Sequence, residues 1–267
     1  MKIDSKYNTA TTLSFKEKFG YGLGDTASHF SWDMAGMFLF FYFTDVYGIS
    51  AAAAGTIMMA ARIWDAVSDP LVGIISDRTN TKYGKFRPYM IWFAIPLSIS
   101  LVLLFTTPDF ENTGKIIYAT CAYLLLSTFY TAVNLPYSAL SGVMTSDSGQ
   151  RTLLNQYRFF LGFIGMFIVS FTMYFKNYLI IDDVIVFAKS INLSPEALEF
   201  IGNYKWVDAS LLDSTGKLKE MITLLEQEAF QLIAIILGVA GVILLIFSYL
   251  TTNERIEPPK NQKSNLK

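Results

Sequence analysis

Residues 61–89 read ARIWDAVSDPLVGIISDRTNTKYGKFRPY. The first part is an apolar, helix-forming run that nevertheless carries Arg62, Asp65 and Asp69. At spacings of three and seven these fall on one helical face. A charge at bilayer depth costs about 2.5–3.5 kcal/mol on insertion scales. A lipid-facing cluster would be expelled, so the three are expected to face a protein interior or a wet cavity. The second part, Asp77 to Arg87, is a short loop carrying Arg78, Lys82, Lys85 and Arg87, the composition of a cytoplasmic anchor. One segment thus points both to a buried charged site and to the side of the membrane on which its loop lies.

Composition agrees with a membrane setting. The chain has 267 residues, 52% hydrophobic and 16% charged, with a mean hydropathy of +0.38. An average soluble domain is about 25% charged. The single Cys121 lies in an apolar run, which excludes a disulfide framework, and no C-x-x-C or H-E-x-x-H metal pattern occurs. Met1 to Lys18 is polar and has no signal-peptide core, so the first apolar segment is expected to remain as a span. No Ser-His-Asp set, phosphate-cradling glycine loop or nucleic-acid patch is evident, and the reading is neither an enzyme nor a nucleic-acid binder.

A span needs about 20 mostly apolar residues. Six segments qualify: Tyr21–Thr44, Ala51–Ser76, Pro88–Thr106, Lys115–Met144, Leu153–Phe175 and Ala229–Leu250. The chain therefore reads as an all-α membrane protein with six transmembrane helices. Lysine and arginine concentrate in the N-terminal arm (Lys2, Lys6, Lys16, Lys18), the loop between spans 2 and 3, and the tail (Arg255, Lys260, Lys263, Lys267). The turn between spans 1 and 2 has none. The positive-inside rule puts both termini in the cytoplasm of a multi-pass cell-membrane protein.

The expected organisation is a cytoplasmic arm at 1–18, spans 1–5 within 19–176, an extracytoplasmic insertion at 177–228, span 6 at 229–251 and a cytoplasmic linker tail at 252–267. In the insertion, Ser194-Pro195-Glu196 reads as a helix start, and Leu211–Leu225 has apolar residues at near-helical spacing. A small, partly helical acidic cap is one reading and a solvated linker the other. The Pro- and Lys-containing tail reads as flexible. The aromatics, 22 Phe and 15 Tyr, are expected mostly at the lipid or interface, with Trp32 and Tyr130 as exceptions suited to a sugar's C–H face.

A second polar stripe runs along span 1, where Asp25, His29 and Asp33 are spaced i, i+4, i+8. His29 is the one histidine in the chain. Span 4 has Tyr130, Thr131 and Asn134 just before Pro136, and span 5 opens with Gln156, Tyr157 and Arg158. Two fixed cations, Arg62 and Arg158, thus share an apolar bundle with Asp25, Asp33, Asp65 and Asp69. Carboxylate and amide oxygens on facing helices suit a hard cation, one buried carboxylate suits a proton, and Asp, Arg and Asn together suit a polyol. Each has a plainer alternative: Arg62–Asp65 as a packing pair, His29 as a satisfied bundle histidine, Asn134 as a partner for carbonyls freed by Pro136.

These motifs resemble a known family. W-D-A-V-S-D-P-L-V-G at Trp64–Gly73, followed by S-D-R-T-N-T-K-Y-G-K-F-R-P at Ser76–Pro88, is similar to the helix 2 and loop 2–3 signature of the glycoside–pentoside–hexuronide:cation symporters. These belong to the major facilitator superfamily. Supporting matches are G-Y-G-L-G-D-T-A-S at Gly20–Ser28, F-Y-F-T-D-V-Y-G-I-S at Phe41–Ser50, Y-T-A-V-N-L-P-Y-S-A-L at Tyr130–Leu140 and Y-R-F-F at Tyr157–Phe160. The resemblance covers Phe19 to about Arg255 except the connection between spans 5 and 6.

The resemblance implies a cation site, for Na+ or H+, at Asp65 and Asp69, with Asn134 as a neutral ligand. It implies sugar contacts from Tyr130 and Arg158, with His29 and Asp33, and Asp25 and Arg62 beside them. Gly73, Asp77, Arg78, Lys82, Gly84, Lys85 and Arg87 would form an inner gate, with Asp77 and Arg78 pairing with other helices. No further cofactor or metal is implied. Melibiose carriers have acids where this chain has His29 and Asn134, which sets melibiose-like specificity and strict Na+ coupling aside as given. Family members have twelve helices in two halves, and this chain reads as the N-terminal half-bundle. The implied partners are the lipid bilayer, a small sugar or glycoside and a complementary C-terminal six-helix half. The alternative is a non-transporting remnant or membrane scaffold.

Overall fold

The computed structural model describes residues 12–195, 198, 201 and 216–256. Lys2 and Lys6, most of the expected cap from Glu196 to Thr215, and the tail beyond Ile256 lie outside these residues. Among these residues eight α-helices carry the fold: α1 (Phe15–Phe41), α2 (Ala51–Arg78), α3 (Arg87–Trp92), α4 (Ala94–Leu104), α5 (Asn112–Met144), α6 (Ser148–Ser170), α7 (Thr172–Ser190) and α8 (Lys217–Thr251). The six segments read as spans are helical, span 1 ending in a π-helical turn, span 3 as α3 plus α4, and span 5 as α6 plus the start of α7.

Local chemistry sets the boundaries. Ser14 and Glu17 close a reciprocal capping box at the start of α1. At its other end α1 widens into one π-helical turn over Tyr42–Val46. Gly48 then takes a left-handed φ of 76°, and Ser50 caps α2 by accepting from the Ala53 amide. Between α3 and α4 the helix breaks at Phe93. Pro96 has no N–H for the Trp92 carbonyl, and its ring crowds that group; bonding resumes from Leu97 N to Phe93 O at 2.9 Å. Asp147 caps α6 by accepting from the Gly149 and Gln150 amides.

The helices form one bundle in which α1 is central, packed on α6, α8 and α5. Beside it α2 lies on α5, and α4 fits between α5 and α8. Glycines bring α1 and α6 together: a Cβ at Gly22 would come within 2.7 Å of the Tyr157 carbonyl oxygen. The hydroxyl of Thr26 donates to the Leu161 carbonyl at 2.8 Å across the same seam. Where lipid is as apolar as the side chains, such close backbone packing is what holds helices together. Many phenylalanines are exposed, but a set of large aromatics is inside. Tyr21, Tyr42, Tyr137, Phe43, Phe105 and Phe230 are fully buried, and Tyr21 stacks on Tyr137 with centroids 4.8 Å apart. The Tyr137 hydroxyl donates to the Tyr21 carbonyl at 2.5 Å, so stack and bond pin α1 to α5 together.

The surface is apolar over long helical faces. Ile63, Val67 and Leu71 on α2, Phe159, Phe163 and Phe167 on α6, and Ile236, Val239 and Ile243 on α8 are all exposed. Exposed apolar area on this scale marks a membrane-facing surface. Four helical stretches, Arg87–Leu104, Asn112–Met144, Ser148–Ser190 and Lys217–Thr251, are long and apolar enough to cross a bilayer. The stretches α1 and α2 are not among them, because their polar stripes lower the mean.

The start of α1, the α2–α3 loop, the α5–α6 turn and the end of α8 meet at one end of the bundle, here called the basic end. There the expected flexible tail is in part a docked one. The Glu254 carboxylate accepts from the Lys85, Phe86 and Arg87 amides at 2.8, 2.7 and 2.9 Å. Arg255 pairs with Glu17, and its amide donates to the Val143 carbonyl. At the opposite end α7 continues α6 past Phe171, and α8 begins well before its predicted span. The two pack on each other around Ile180, Val184, Ala188 and Leu218, and Lys176, fully buried, pairs with Glu226. Within the described residues the connection is a helical projection with its own apolar cluster, not a solvated linker.

Candidate substrate and cation site

Two polar clusters flank an aromatic pair: one lies largely inside the bundle, and the other leaves Arg62 and Asp69 exposed. The first joins α1 and α6. His29 lies between two acids one turn away on either side, with Nδ1 2.7 Å from Asp33 Oδ2 and Nε2 3.6 Å from Asp25 Oδ2. The other oxygen of Asp25 accepts from Arg158 Nε at 2.9 Å, and the Arg158 guanidinium lies 5.2 Å over the Tyr137 ring. Room for this comes from α6. A Cβ at Gly162 would lie 2.6 Å from Asp25 Oδ2 and 2.9 Å from His29 Nε2. Asp25 itself is buried with both oxygens committed, so it meets its neighbours in the cluster and not an open surface.

The second cluster joins α2 and α5. Arg62 Nη1 is 3.0 Å from Asp65 Oδ2, and Arg62 Nη2 donates to the Tyr123 hydroxyl at 2.6 Å. The Ser127 hydroxyl donates to the remaining Asp65 oxygen, and the Thr131 hydroxyl to Asp69 Oδ1 at 2.9 Å. Along α5 the residues Ser127, Thr131 and Asn134 keep to one face, at i, i+4 and i+7. Asn134 Oδ1 is buried with no partner among the described residues, and it ligates neither acid here. No three of His, Cys, Asp and Glu converge as a metal-binding group among the described residues; the acids work with hydroxyls instead.

Between the clusters Trp32 of α1 stacks on Tyr130 of α5, with centroids 4.3 Å apart and planes within 18°. Arg62 lies 4.8 Å over the Trp32 ring. The stack therefore touches the α2 cluster through a cation–π contact, while its other side belongs to α1. Sequence alone gave no reason to single out Tyr123, Ser127 or Tyr137. Their one signal was helical spacing from Tyr130 and Asn134.

The predicted gate residues lie together at the basic end, but their pairing differs from the expectation. Asp77 bonds Lys85 of its own loop at 3.0 Å, not another helix. Arg78 and Lys82 are exposed, Lys82 over the Tyr83 ring, and Arg87 donates to the Tyr249 carbonyl at 2.7 Å. Gly73 is on α2 with nothing near its Cβ position. Gly84 is where glycine is required: φ is 114°, and a Cβ would come 2.6 Å from Glu254 Oε1.

Long apolar helices with partnered charges along them define a multi-pass membrane protein. A family model described as MFS/sugar transport protein matches residues 20–267, and the chain belongs to that family, one of transporters and not of enzymes. Among curated proteins it is 48% identical over 153 residues to an inner membrane symporter, YicJ, of Escherichia coli K12, covering 57% of this chain and 33% of that protein. It is 36% identical over 251 residues to an uncharacterized symporter, YnaJ, of Bacillus subtilis 168, covering 94% and 46%. It is 40% identical over 158 residues to the isoprimeverose transporter of Lactiplantibacillus pentosus, covering 59% and 33%. The chain thus spans between a third and a half of the length of these relatives.

Proposed function

We propose that this chain forms the N-terminal six-helix half of a sugar or glycoside:cation symporter of the cell membrane. It would work by rocking against a complementary six-helix half with the site between them. The observation that carries the reading is the charge balance of the α2–α5 cluster: Arg62 pairs with Asp65, and Asp69 accepts only from the Thr131 hydroxyl. Asp69 is exposed and has a single hydroxyl on it, and the unpartnered Asn134 oxygen lies one turn beyond Thr131. A monovalent cation, Na+ or H+, would complete that set.

The sugar would lie against the Trp32–Tyr130 stack, its hydroxyls meeting Asp33 and Arg158, with His29 and Asp25 behind them. A relative named as an isoprimeverose transporter supports a glycoside as the solute. Cation and sugar would drive the same closed state because both bind between the halves. The test is cation-dependent uptake of labelled glycosides by vesicles holding this chain with a complementary half. Asp69→Asn is expected to abolish the cation dependence of uptake while the chain still folds. Coupled uptake that survives the substitution removes the cation assignment.

A further inference from the structure

Each ring nitrogen of His29 faces a carboxylate oxygen, Asp33 at 2.7 Å and Asp25 at 3.6 Å. A neutral imidazole has one N–H, and its bare nitrogen would then present a lone pair to an anionic oxygen. An imidazolium donates from both. We propose that His29 is a fixed imidazolium, a positioning residue that holds Asp25 in place for Arg158, and that the coupling ion does not titrate it.

The groups around the ring agree. On α1 the facing charges are Asp25 and Asp33; on α6, Arg158. The titratable groups of α5 on this side are Tyr130 and Tyr137, and α2 contributes Arg62 and Asp69 across the aromatic pair. Along Ala229–Ser248 of α8 there is no titratable residue. With His29 protonated, the α1–α6 set holds two cations and two carboxylates and is neutral, whereas a neutral His29 leaves an uncompensated anion in an apolar bundle. The ring is backed on one side by α6. A Cβ at Gly162 would be 2.9 Å from Nε2, and one at Gly165 would be 3.1 Å from the His29 Cβ, so the α6 backbone forms the floor beneath it. In the transport cycle, a consequence that rests on the function proposed above, the α1 set is electrically complete and the α2–α5 set is where a coupling ion has work to do.

The chain has one histidine, so a histidine-selective 15N label reports this site without background. With the full chain in lipid nanodiscs at pH 7.5, both ring nitrogens are expected at protonated shifts, and Asp33→Asn should move one of them toward the bare-nitrogen shift. One protonated and one bare nitrogen at pH 7.5 overturns the proposal. The positioning role has its own readout. His29→Gln leaves the cluster one positive charge short and should lower the melting temperature, and His29→Lys should restore it. A deficit unrelieved by lysine overturns the positioning role. None of these measurements uses uptake, so a silent transporter with an imidazolium signal counts against the proposed function and not against His29.

Discussion

Single residues decide the chemistry of this chain, and they act through partners far away in sequence. Glu17 shows how. Burial alone would push its carboxyl up, but the Ser14 amide and hydroxyl and the Arg255 guanidinium outweigh that and hold it below the usual carboxylate range. A depressed pKa means that the pair stabilises the fold above the unfolded-state value of about 4.3 and loses that contribution as pH falls through the folded value. Arg255→Gln should therefore lower thermal stability at pH 7 by about 1 kcal/mol, the scale of a partly exposed ion pair. The difference from the parent chain should vanish by about pH 3, below the ordinary carboxylate range. Melting curves of both chains across that range check it, and a difference that grows on acidification refutes it. The site was legible at this scale as a set of residues: Asp25, His29, Asp33, Arg62, Asp65 and Asp69 stand out because charges in apolar helices need reasons. Their pairing was not legible. Nothing in local spacing says that Asp25 belongs to Arg158, 133 positions away, or that Ser127 and Thr131 hold Asp65 and Asp69 of α2.

At the scale of helices, the α1–α6 seam is the one on which the site depends. It is close because Gly22, Gly162 and Gly165 give up their side chains there, and the polar cluster occupies the space saved. Gly162→Ala should push Asp25 and His29 apart and cost about 1–3 kcal/mol, as overpacking does. Gly36→Ala, on the same helix α1 but with nothing within 4 Å of its Cβ position, should be neutral or slightly stabilising. Thermal unfolding of the two variants in one detergent gives the contrast, and equal effects would deny the seam its role. Helices themselves were the most legible feature, since apolar runs of spanning length are hard to mistake. What hydropathy missed has identifiable causes. The break at Phe93 comes from Pro96, whose effect falls upstream of itself. The lengthening of α8 to Lys217 comes from its packing on α7, a long-range contact with no periodic signature in α8 alone. The burial of so many tyrosines and phenylalanines follows from stacking partners on other helices.

At the scale of the whole molecule, the bundle has two unlike ends, and a membrane sets a sign on that difference. Lys16, Lys18, Arg78, Lys82, Lys85, Arg87, Arg151 and Arg255 gather at the basic end, and the helical projection of α7 and α8 is at the other. Short basic connections stay in the cytoplasm, whereas long connections translocate with less regard for charge, so the basic end should be cytoplasmic and the projection outside. The chain offers a clean way to ask. Its single thiol, Cys121, is exposed on the apolar face of α5 and can be replaced by alanine to give a thiol-free background. In that background Ser190→Cys places a thiol at the exposed end of α7, and Tyr83→Cys places one in the exposed α2–α3 loop. A membrane-impermeant maleimide added to intact cells should label the cysteine at 190, and should label the one at 83 only after the membrane is opened. The reverse pattern would invert the bundle and put the Glu254-capped loop outside. Labelling of both in intact cells would mean that the helices do not cross the membrane as read.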